Sequence, residues 1–90
     1  MSERGGRYRI EFAPAAVRQF RELAGPIRRR IQSKIDSLGD EPRPHGCEKL
    51  EGADDLYRVR VGDWRIIYQI GDRQLLVLIV KIGNRRDVYR

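Results

Sequence analysis

Ninety residues, 40% of them hydrophobic, are enough for one thin hydrophobic core, so residues 1–90 read as one small domain. The charged fraction is high at 36%, but apolar runs argue against a disordered chain, and the longest, Leu75–Val80, is far too short to cross a bilayer. The net charge of +6 is uneven: residues 1–55 hold eleven Lys/Arg against ten Asp/Glu, residues 56–90 eight against three, so the basic excess sits in the last third, where a polyanionic partner would meet it.

In chain order, Arg7–Phe12 alternates as a strand does. Pro14 suits the first turn of a helix, and Ala16, Val17, Phe20, Leu23 and Ala24 follow at helical spacing. Gly25-Pro26 interrupts the pattern, and Ile27, Ile31, Ile35 and Leu38 form a second stripe that Gly39 closes, so the two helices read as a helical hairpin. Residues 40–54, with Pro42, Pro44, Gly46 and Gly52, read as a loop. Residues 57–70 then give a β-hairpin about the two-residue turn Gly62-Asp63. That turn sets Val61 opposite Trp64, Val59 opposite Ile66 and Tyr57 opposite Tyr68, six apolar side chains on one face. Arg58, Arg60 and Arg65 lie on the other. Gly71, Asp72 and Arg73 turn the chain into a strand over Gln74–Ile82, apolar on both faces as an inner strand is, and a basic tail ends it. The expected architecture is α+β: an N-terminal strand, a two-helix hairpin, then a three- to four-stranded antiparallel sheet with the helices on one face.

The arginine face is the first candidate site. Guanidinium groups hold phosphate in bidentate fashion and keep their charge at neutral pH. Arg60 opposite Arg65 costs the sheet stability, which an anionic ligand would offset. The competing reading, a solvated strand face with acids nearby, is weakened because the hairpin strands carry no acid on that side. Arg85, Arg86 and Tyr89 follow the inner strand. They form either a basic tail or the flank of the same anion pocket, where guanidinium charge would acidify the Tyr89 phenol for proton transfer. Arg28, Arg29, Arg30 and Lys34 lie off the Ile stripe; a solvated helix face is the simpler reading, with phosphate contacts or a docking surface for an acidic partner as the alternative, and Lys49 before the hairpin is a further candidate for phosphate. His45 and the lone Cys47 form no set with metal-ligand spacing, and no glycine-rich phosphate loop or Ser/His/Asp set is present, so neither a metal nor a cofactor is expected. With one cysteine and no apolar leader the chain reads as cytoplasmic, without membrane contact.

Lys49 to Gly52, Tyr57 to Tyr68 and Val80 to Tyr89 together resemble the RelE/ParE toxin superfamily, closest to its RelE branch, and the strand–helix–helix opening fits as well. The resemblance implies a toxin of a toxin–antitoxin pair that cuts mRNA in the ribosomal A site without a metal: the ribose 2′-OH attacks the adjacent phosphate and the 5′-oxygen leaves. By position it implies Arg58, Arg60, Arg65, Arg85 and Tyr89 as the catalytic set; the basic residues Lys49, Arg86, Arg28 and Arg29, singled out above for their charge, then become candidate RNA contacts. The best-known RelE pattern has lysines where this chain has Arg58 and Arg60. An arginine cannot readily accept a proton, which moves the role of base to Tyr89, or leaves Tyr89 to stack on a substrate base. The implied partners are mRNA on the ribosome and a cognate RelB-like antitoxin, whose complex would reach operator DNA. Two alternatives stand beside this: a ParE-like inhibitor of DNA gyrase, and a non-catalytic RNA-binding module.

Overall fold

The computed structural model describes residues 7–52 and 54–84. Its elements run β1 (Arg9–Phe12), α1 (Pro14–Arg21), α2 (Gly25–Asp40), β2 (Glu48–Lys49), β3 (Leu56–Val61), β4 (Trp64–Gly71) and β5 (Leu76–Asn84). The strands form one sheet in the order β1-β5-β4-β3-β2. The α+β fold is as expected: an N-terminal strand, two helices and then four antiparallel strands. The N-terminal strand joins the same sheet and makes it mixed, because β1 pairs parallel to β5 with Arg9 beside Leu76 and Phe12 beside Ile79. The one correction is to the segment read as a loop, which contributes β2, antiparallel to β3.

Each helix starts from an extended alanine, Ala13 or Ala24, and carries a proline in its first turn, where the missing N–H costs nothing. The α2 stripe faces the sheet: Ile31, Ile35 and Leu38 are fully buried, against Tyr57, Val59, Ile66, Tyr68, Ile70, Val77, Ile79 and Ile82 in one cluster. Helix α2 runs to Asp40, so Gly39 does not close it but lies inside its last turn, where the helix meets β1. A Cβ there would sit 3.1 Å from the Tyr8 carbonyl oxygen, and the Tyr8 N–H donates to the Gly39 carbonyl at 3.1 Å.

The hairpin pairs in the expected register, Tyr57 with Tyr68, Val59 with Ile66 and Val61 with Trp64. Strand β5 begins at Leu76 rather than Gln74 and carries an irregularity. Ile67 pairs with Lys81 but Tyr68 pairs with Ile79, which leaves Val80 as an extra residue. Such a bulge turns the side-chain alternation over by one step. Ile79 and Ile82 are therefore both in the core, while Lys81 stands opposite Ile67 on the far face. None of the described helices is long and apolar enough to cross a membrane.

Candidate functional site

The far face of the sheet carries the site, and cross-strand pairing fixes its layout, since residues opposite one another share a face. One row runs Glu48, Arg58, Ile67, Lys81 across β2, β3, β4 and β5. The next row, towards the Gly62-Asp63 turn, runs Arg60, Arg65, Gly83. With strands about 4.8 Å apart, each row spans the sheet within reach of long side chains. The hairpin thus brings Arg58, Arg60 and Arg65 together as its alternation requires, at three different depths. Arg65, on the inner strand β4, is only 6% exposed; it is not the solvent-facing group expected of an open face. Arg58 is half-buried and Arg60 exposed.

The hairpin itself supplies no acid to this face, but β2 does. Arg58 donates from Nε (3.1 Å) and from Nη2 to Oε1 of Glu48. The Glu48 carboxyl is held below its ordinary range, first by these hydrogen bonds and the Arg58 charge, against an opposing effect of burial, and then by the lesser effects of the Arg60 and Arg65 charges. One carboxylate therefore sits within the field of all three arginines.

Arg60 also lines a cleft of about 480 Å³ with Arg30, Ser33, Lys34, Ser37, Val61 and Gly62. The four helical residues are spaced i, i+3, i+4, i+7, one polar stripe of α2 turned to the sheet edge. The Arg30 guanidinium packs against Gly62, where Nη2 would lie 3.1 Å from an added Cβ. Gly62 has a φ of +62°, which glycine adopts without strain. The basic run of α2 is thus divided. Arg28 and Arg29 border a separate groove with Phe20, Gln32, Ser33 and Asp36, away from the hairpin arginines, and Arg28 donates to the Leu23 carbonyl at 3.3 Å. Lys49 pairs with Tyr57 and so points to the opposite face from Glu48. Arg85, Arg86 and Tyr89 lie outside the described residues. His45 is exposed in the turn before β2, and among the described residues no three His, Cys, Asp or Glu side chains are placed to hold a metal ion.

Two groups of the face escaped the sequence reading. Glu48 lies on a two-residue strand, too short to show alternation. Lys81 is one charge inside the apolar run from Leu75 to Ile82; that charge was the available signal of a bulge.

Comparison with known proteins places the chain. The model of the ParE toxin of type II toxin–antitoxin systems, parDE, matches residues 10–89. The chain belongs to this toxin family. A putative RelE-like toxin protein of Escherichia coli is 31% identical over 87 residues, which cover 92% of this chain and 90% of that one. The mRNA interferase toxin RelE of E. coli K12 is 27% identical over 86 residues, 91% of this chain and 90% of that one. Among solved structures, the archaeal RelE–RelB complex from Pyrococcus horikoshii superposes with a TM-score of 0.78 at 33% identity, covering 88% of this chain and 96% of that chain. The isolated E. coli RelE toxin superposes with a TM-score of 0.77 at 27% identity, covering 91% and 90%. The RelE/ParE resemblance read from the sequence holds, and the arginine-bearing hairpin belongs to the toxin fold.

Proposed function

We propose that this chain is the RelE-like toxin of a toxin–antitoxin pair, an endoribonuclease that cuts mRNA on the ribosome in the cytoplasm, with residues 1–90 forming one toxin domain. The observation that carries this is the gathering of Arg58, Arg60 and Arg65 on the sheet face that the helices leave uncovered. Its likeness to a relative named an mRNA interferase supports the same reading. Attack of a ribose 2′-OH on the neighbouring phosphate builds negative charge on the phosphorane oxygens, and fixed guanidinium groups stabilise that charge without reorganising. Arg65, buried on the inner strand, is the best-held of the three. Arg58 and Arg60 bind the RNA backbone, Arg85 joins the transition-state clamp, and Tyr89 takes part in proton transfer or stacks on a base. A RelB-like antitoxin, acidic and partly helical, covers the basic face, and the complex reaches operator DNA through the antitoxin.

Mapping mRNA ends in cells expressing the chain tests this. Cuts inside translated codons, absent when translation is blocked, are expected; intact mRNA overturns the assignment. Arg65→Ala and Arg58→Ala should each slow cleavage by about 100–1000-fold. Because Arg65 is buried, its variant is compared with Arg65→Lys and checked by circular dichroism, so that loss of fold is not mistaken for loss of the clamp. The ParE description of the family favours a second reading, inhibition of DNA gyrase. Stalled replication with DNA damage and uncut mRNA would identify it. Tyr89→Phe distinguishes an enzyme from an RNA-binding module, since only an enzyme has turnover to lose.

A further inference from the structure

Cleavage by a 2′-hydroxyl needs a group that accepts its proton, and the arginines that define the face cannot serve, because a guanidinium keeps its proton in proteins. Among the described residues of the two rows, Arg58, Arg60, Arg65 and Lys81 are donors in their charged forms, and Ile67 and Gly83 have no titratable group. That leaves Glu48. We propose, resting on the nuclease reading above, that Glu48 is the general base of this site and takes the 2′-OH proton.

The geometry suits the role. Both hydrogen bonds from Arg58 converge on Oε1, so Oε2 takes no hydrogen bond from the described residues. The Glu48 side chain is 50% exposed against 17% for Arg58, so the oxygen can be reached from the RNA side while its anchor is held. Strand β2 covers only Tyr57 and Arg58, and β3 runs on as a free edge to Val61. The carboxylate therefore stands at the rim of the phosphate-binding rows rather than beneath them. The surrounding guanidinium charges keep it ionised at neutral pH, which also makes it a weak resting base. Arg58 resolves this conflict. It is the strongest hold on Glu48 and, one strand inward, a phosphate ligand. As charge grows on the phosphorane, Arg58 shifts its hydrogen bonds to the phosphate oxygens, and Glu48 becomes more basic as the proton arrives.

The step balances. The 2′-oxygen forms a bond to phosphorus as its proton passes to Glu48 Oε2. The P–O5′ bond breaks, leaving a 2′,3′-cyclic phosphate, and the 5′-oxygen takes a proton from water. Glu48 then loses its proton to solvent.

The test is single-turnover cleavage of mRNA on programmed ribosomes between pH 6 and 8.5, for the full chain and for Glu48→Gln, which keeps the side chain's shape. With a carboxylate base already ionised, the unaltered chain should cut at a rate nearly independent of pH. Glu48→Gln should be slower by about 100- to 10,000-fold. Its rate should climb about tenfold per pH unit as hydroxide takes over the proton. Glu48→Ala should be partly rescued by added formate. A slowed Glu48→Gln whose profile keeps the original shape would show that Glu48 only positions Arg58, and overturns the proposal. So does an unchanged rate. A chain that cuts no mRNA even unaltered overturns the nuclease reading, and Glu48's role with it.

Discussion

At the scale of single residues, depth separates three arginines that a strand pattern makes look alike. Arg65 is buried on an inner strand, Arg58 is held by Glu48, and Arg60 is exposed at a free edge beside Arg30 and Lys34. A buried, fixed guanidinium is suited to a transition state, whereas an exposed one is suited to capture of a flexible polyanion. Lys81 belongs with the second kind. The bulge sets it at the outer edge of the arginine rows, bordering a cleft near Gln19 and Trp64. Its ammonium is a mobile point charge rather than a fork. Lys81→Gln should therefore weaken RNA binding much the same for every sequence. It should lower the slope of log affinity against log salt by about 0.7, the value of one phosphate contact on a single strand. Titration of a fluorescent single-stranded RNA at several salt concentrations measures both, and an unchanged slope would remove Lys81 from the RNA path.

At the scale of elements, the β4–β5 turn carries strain that substitution should relieve. Leu75 has a φ of 53° and is 42% exposed, so its side chain gains little from burial while its backbone sits in the left-handed region. A β-carbon there costs about 1–2 kcal/mol, and glycine's extra freedom in the unfolded chain returns part of that. Leu75→Gly should stabilise the fold by roughly 0.5–1 kcal/mol, a rise in melting temperature of a few degrees readable by calorimetry. The same region shows what a sequence conceals. The β3–β4 hairpin was legible to the residue because alternation and a two-residue turn fix register locally, and the helices were legible because α2 repeats isoleucine every fourth position. Strand β1 beside β5 was not, since parallel pairing joins segments some 65 residues apart and leaves no local trace. The bulge at Val80 was hidden because a run apolar on both faces has no alternation to break. The carboxylate of the site was missed for a related reason. Glu48 acquires its place from pairing with Arg58, not from any pattern within its own two-residue strand.

At the scale of the whole molecule, the end of the sheet away from Arg60 and Arg65 is tied by a polar clasp. Arg43, in the segment after α2, donates from Nη1 (3.2 Å) and Nη2 (2.9 Å) to the two carboxylate oxygens of Asp72 in the β4–β5 turn. It also donates from Nε to the Tyr57 hydroxyl (3.1 Å) and lies 5.2 Å over the Tyr57 ring. The Tyr8 hydroxyl, just before β1, donates to the same carboxylate at 2.8 Å. Beside it, the buried Tyr68 hydroxyl donates to the Pro42 carbonyl at 2.7 Å. The clasp thus joins the start of β1, strand β3 and the β4–β5 turn to the segment leaving α2. It holds the Asp72 carboxyl below its ordinary value of 3.8, first through Arg43 and then through Tyr8. A carboxyl lowered by folding adds stability that is complete above its unfolded value and is lost as pH falls through the lower folded one. The unaltered chain should accordingly resist urea better than Asp72→Asn at pH 7, and the gap between their midpoints should close as the pH drops below about 4. Because Asp72 follows the end of β4 opposite to Arg65, and Tyr57 of the clasp faces the core rather than the arginine rows, Asp72→Asn should cut mRNA at the unaltered rate wherever it remains folded. A variant that lost cleavage while keeping its urea midpoint would show that the two ends of the sheet are coupled in function and not only in stability.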